Sequence, residues 1–205
     1  MAPLFLFLRR VPKPARRTNS DKDGAYTSQA MKLFDEAIAE IDRLHAEDPA
    51  GLELGYAQNM TRWLEQLEPN PDPLLAIAVR AQHLKRWECP RAEYPIGRKG
   101  YLQWRRAAAE HHAQLVSKVL SSAGFGASEI DRVAALVLKR GLGSDKDVQT
   151  LEDCACLVFL ETQLSDFVGQ HAKPKVERVL RKTQAKMSPR AEALSHELLA
   201  LRHVD

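Results

Sequence analysis

From Cys154 to Leu160 the run LEDCACLVFLE (residues 151–161) is apolar at every position. A helix with no polar face has to be wrapped by other elements, so this short run demands a layered core around it. The rest of the chain offers the wrapping. Phe34, Ile38, Ile41 and Leu44 recur at helical spacing and predict a helix near 27–46, and Tyr56, Met60, Trp63, Leu64 and Leu67 predict one near 53–68. Asp72-Pro73 and Ser188-Pro189 each pair a capping side chain with proline at the first helical position, which starts helices near 73–88 and after 188. Further helices are expected at 101–123, at 128–140 behind a Ser128 cap, at 146–168, and from Pro174. No stretch alternates convincingly as a strand, so the expected fold is all-α, with about eight helices.

A chain of 205 residues is long enough for one substantial core. Its 44% apolar and 28% charged residues exclude wholesale disorder. No apolar run approaches the ~20 residues that cross a bilayer, so no membrane partner is expected. The opening MAPLFLFLRRVPKPARR has no acid and several arginines. It resembles an organelle presequence or a non-folding tail. Residues 1–24 are therefore expected to be a flexible basic arm and 25–205 the helical domain. Three cysteines, Cys89, Cys154 and Cys156, are too few and too awkwardly spaced for a disulfide framework or a zinc site. Reduced thiols fit a cytoplasmic location, with organelle import through the arm as the alternative.

Charge is unevenly spread. Residues 80–106 carry eight Lys or Arg against two Glu, although the whole chain is only +3. Such a local field draws in anions, while the mild net charge argues against nucleic acid as a partner. Within this region the loop 89–99, CPRAEYPIGRK, is the one long loop of the body. Arg86, Arg91, Arg98 and Arg105 are interleaved there with Trp87, Tyr94, Tyr101 and Trp104. Guanidinium forks match phosphate oxygens and aromatic faces stack a planar group. The expected ligand is a small phosphorylated metabolite or nucleotide, with Lys139 and Lys186 adding charge. A structural loop with rings packed on arginine stems is the competing reading.

Three side chains could carry further chemistry. His83 sits at the edge of the buried stripe of its predicted helix, one turn from Val79; His112 shares a face with Ala108 and Val116; and Asp153 shares one with Cys156, Leu157 and Leu160. A buried carboxylate needs a partner: a metal ion, a basic side chain or a helix N-terminus. Two imidazoles and one carboxylate suit a divalent ion, manganese, iron or zinc. The competing reading is hydrogen-bonded core residues.

The motifs AQHLKRWECPRAEYPIGRKGYLQWR, LEDCACLVFLE and KTQAKMS resemble the family called domain of unknown function 4202, over roughly residues 28–201. The order of His83, His112 about 29 residues on, and the late Asp153 is more distantly similar to the all-helical HD metal phosphohydrolases. That likeness implies an HD-like fold, a metal held by His83, His112 and Asp153 as catalytic residues, and hydrolysis of a phosphoester. It departs at position 113, where the doublet aspartate belongs and Ala113 stands. The reading is thus a metal-dependent phosphohydrolase with Arg86, Arg91, Tyr94, Arg98, Tyr101, Trp104, Arg105, Lys139 and Lys186 around its ligand. The alternative is a helical module that binds an anion or a protein partner without metal.

Overall fold

The computed structural model describes residues 21–202, with side chains from 28 to 200. The described residues are all-α, as the spacing predicts, with nine α-helices against the eight or so expected and no strand. They are α1 (Asp21–His45), α2 (Glu53–Leu67), α3 (Pro73–Arg80), α4 (Arg98–Ala123), α5 (Ala127–Val137), α6 (Lys146–Val158), α7 (Leu164–Gln170), α8 (Lys173–Gln184) and α9 (Pro189–Arg202). Of the expected arm, residues 21–24 belong to α1, and 1–20 lie outside the described residues.

The apolar run is wrapped as its composition demands. Leu151, Cys154, Leu157, Val158 and Leu160 are fully buried, with α2, α3, α5 and α9 packed around α6. Helix α3 is the second buried rod: Ile77, Ala78 and Val79 have no exposed surface, and α1, α2, α5 and α6 surround it. Both proline-cap signals hold. The Asp72 carboxylate accepts the Leu74 N–H at 2.8 Å, and the Ser188 hydroxyl accepts the Ala191 N–H at 3.3 Å. The start of α5 differs: Gly126 is the cap, and the Glu129 carboxylate reaches back to its N–H at 2.9 Å.

Two departures from the expected helices shape the site. The third helix stops at Arg80, eight residues short. Its end is gripped from α1: Arg80 donates to both carboxylate oxygens of Asp42, at 2.6 and 2.8 Å, and His45 Nε2 donates to the Arg80 carbonyl at 2.9 Å. The last carbonyls of a helix have no partner within it, and here an imidazole takes one, so the chain can leave the helix. The sixth helix does not run unbroken either. Phe159–Gln163 forms a π-helical turn before α7, where the Thr162 hydroxyl donates to the Val158 carbonyl and the Glu161 carboxylate accepts from Arg62 and from Trp63 Nε1. Such turns cluster at functional sites.

Candidate functional site

Beyond Arg80 the chain runs through turns, and His83 and Lys85 both adopt left-handed backbone, with φ of 63° and 52°. A left-handed conformation in residues other than glycine costs about 1–3 kcal/mol each and persists only where neighbours over-determine it. Here the surroundings do so. His45 holds the carbonyl at 80, and His112 Nδ1 donates to the Leu84 carbonyl at 2.8 Å. The loop between these two pegs carries His83, and the turn just after it Arg86, to the lining of a cavity of about 670 Å³.

His83 lies in a column of flat groups. Tyr56 stacks on one face at 4.3 Å between ring centroids. Arg86 Nη1 is 3.1 Å from both ring nitrogens of His83. In the ring plane that position would collide with Cε1, so the guanidinium lies over the opposite face. Arg86 in turn covers Trp104, 5.0 Å from its ring centroid, and Trp104 Nε1 donates to the Cys89 carbonyl at 2.8 Å. Burial, then the charge of Arg86, holds the His83 imidazole well below its usual pKa. Burial lowers His112 to about 4 against the opposing hydrogen bond to Leu84. Both rings are neutral at pH 7. Below them Glu53, 3.9 Å from His83 Nδ1, is raised by burial to about 7 even with Arg86 opposing.

The opposite wall is ionic. Glu152 accepts from Lys139 and Lys186, each at 2.5 Å. Burial disfavours its charge, but the two ammonium groups outweigh that and bring the carboxyl down to about 2. Lys139 also stands in left-handed backbone, with φ of 55°. Arg105 and Arg140 line the same cavity and make no ion pair with a carboxylate among the described residues; Arg86, also in the lining, acts on the Glu53 carboxyl, and Arg106 is paired with Glu110. Phe159 and Gln163, at the two ends of the π-helical turn, complete that side. Burial pushes the Cys156 thiol up to about 11, so it stays protonated.

The cavity thus gathers His83, His112, Arg86, Tyr101, Trp104, Arg105, Lys139 and Lys186 from the predicted residues. Four others, Arg91, Tyr94, Arg98 and Asp153, lie outside it. Arg91 clamps its own loop, donating to the carbonyls of Tyr94 and Pro95 at 2.8 and 3.0 Å, so Arg91 and Tyr94 are loop structure, and Arg98 starts α4 on the surface. Asp153 lies elsewhere, against the start of α9. Its Oδ1 accepts the Ser188 N–H at 3.0 Å and Gln149 Nε2 at 2.9 Å. The partner of this buried carboxylate is therefore the start of α9, and Asp153 does not line the cavity that holds the two histidines. Nor do the other donors fit a metal. The His83 and His112 rings are 6.0 Å apart and tilted, and Glu152 is neutralised by two lysines. Among the described residues no three His, Cys, Asp or Glu side chains form a group able to hold an ion.

Sequence reasoning missed Tyr56, Gln82 and Arg140, which helical spacing and charge clustering do not connect. Glu152 was legible as an acid next to Asp153 on a buried helix that needed a basic partner.

The model of the family described as Domain of unknown function (DUF4202) matches residues 35–204. The chain belongs to this family. The match spans both histidine pegs, the left-handed loop and the Lys–Glu–Lys wall, so the cavity lies wholly within the DUF4202 region. No curated protein and no solved structure matches the chain.

Proposed function

We propose that this DUF4202 protein binds a small phosphorylated ligand in the cavity between the loop after α3, α4, the end of α5 and α6, holding the phosphate with arginine and lysine side chains rather than through a metal ion. One observation carries the reading: six cationic side chains, Arg86, Arg105, Arg106, Lys139, Arg140 and Lys186, line one ligand-sized space against two carboxylates, Glu110 and Glu152. Exposed cations usually find solvent or an acid. Converging cations in excess of the carboxylates is unfavourable unless an anion completes the set. A volume of 670 Å³ lies within the ~300–1,000 Å³ range of small-molecule sites. Left-handed backbone at His83 and Lys139, both in the lining, adds the strain typical of such sites.

The test is charge reversal with pyrophosphate as the probe. Arg105→Glu and Arg140→Glu should each weaken pyrophosphate binding by about tenfold or more. Arg98→Glu, outside the cavity, should leave it within about twofold. Equal effects at all three positions would mean that the surface, not the cavity, attracts the anion.

A further inference from the structure

One polar group in the cavity lining has no partner within the protein. Gln82 lines it and is only 5% exposed, yet its amide Nε2 has no hydrogen-bond partner. An unsatisfied buried donor costs about 1–3 kcal/mol, and native chains retain few of them. Beside it in the lining stands His112, also 5% exposed. Its Nδ1 must carry the ring hydrogen, because the Leu84 carbonyl it contacts can only accept. The neutral ring then leaves Nε2 bare as an acceptor. Gln82 and His112 therefore bring one unused donor and one unused acceptor to the lining, close in the chain to Arg86 and Arg105. Trp104, Tyr101 and Phe159 supply flat apolar surface in the same lining.

We propose that the ligand is a nucleotide, with its base bound against Gln82 and His112 and Gln82 as the residue that selects it. This rests on the phosphate-binding reading above and deepens it. A nucleobase edge carries both an acceptor for the Gln82 amide and a donor for His112 Nε2, and its face stacks on an aromatic ring. A sugar phosphate meets the arginines equally well but leaves the Gln82 amide without its partner. A site built to hydrogen-bond a group rejects the analogue lacking it far better than an apolar pocket does.

Calorimetric titration of the full chain with pyrophosphate, ribose 5-phosphate and the four nucleoside 5′-monophosphates separates the two levels of the proposal. At least one monophosphate should bind about tenfold or more tighter than ribose 5-phosphate. Gln82→Met keeps the length of the side chain and removes the donor. It should erase that preference while leaving ribose 5-phosphate binding within about twofold, and its melting temperature should equal or exceed that of the parent, since an unpaired buried amide is gone. A Gln82→Leu variant repeats the test with a different shape. Equal affinity for ribose 5-phosphate and all four monophosphates overturns the nucleotide assignment alone. A preference that survives in both variants overturns the role of Gln82. If neither pyrophosphate nor any phosphorylated probe binds, the phosphate reading falls with it.

Discussion

Replacing Glu152 with glutamine separates what the ionic wall does for the fold from what it does for a ligand. The carboxylate is almost wholly buried, 4% exposed, between Lys139 and Lys186. Its pKa falls from 4.5 to about 2 on folding. A shift of that size corresponds to about 3 kcal/mol of stability at pH 7. Lys186 is nearly half exposed and regains water when the pair is broken, so about 2 kcal/mol is the expected loss in Glu152→Gln. The sign of the pH dependence follows from the depressed pKa. The contribution is complete above about pH 4.5 and is lost as the pH falls toward 2, so the gap between parent and variant should close over that window. The same substitution removes a negative charge from a cationic cavity and frees two ammonium groups. Pyrophosphate should then bind roughly tenfold tighter. Urea unfolding followed by circular dichroism across this pH range, with pyrophosphate titration at pH 7, reads both effects. A variant as stable as the parent at pH 7, a gap that ignores pH, or weaker anion binding would each refute this account of the wall.

Three further outcomes follow. His112, at about 4 when folded against an ordinary 6.5, binds its proton later than in the unfolded chain. The parent should therefore lose stability as the pH drops from 6.5 to 4, and His112→Asn should flatten that slope in urea unfolding curves. Glu53 has the opposite sign: with its pKa raised to about 7, its contribution is present below 4.5 and lost as the pH rises through 7. Glu53→Gln should accordingly be more stable than the parent at pH 8, by about 1–3 kcal/mol, and not at pH 4. Gly100 packs so closely on the preceding loop that an added Cβ would meet the Pro95 carbonyl oxygen at 1.9 Å. Gly100→Ala should lift residues 91–97 off α4, seen as faster amide exchange there with the core unchanged.

The fold was largely written in local signals. Asp72-Pro73 and Ser188-Pro189 start helices where their chemistry says they should, and the all-apolar run after Asp153 lies at the centre. What escaped was set by residues far apart in the chain. The pattern from Val79 to Trp87 reads as continuous helix, and nothing within it ends that helix. Asp42 and His45, some 35 residues earlier, grip Arg80 and release the loop that carries His83. The basic cluster likewise overstated the site. Arg80 is held by Asp42, Lys85 by Glu47 and Glu88, and Arg91 by its own loop, whereas Lys139, Arg140 and Lys186 arrive from distant elements. His83 and His112 do come together, but one is stacked between flat groups and the other pegs a carbonyl. A face of a helix shows that a side chain points inward; it does not show which partner waits there.

Titration of pyrophosphate into protein treated with EDTA tests the central claim most directly. Binding that persists at the same affinity without divalent ions, and weakens steeply in Arg105→Glu and Arg140→Glu, is the predicted result. Binding that vanishes on chelation and returns with an added divalent metal would contradict it.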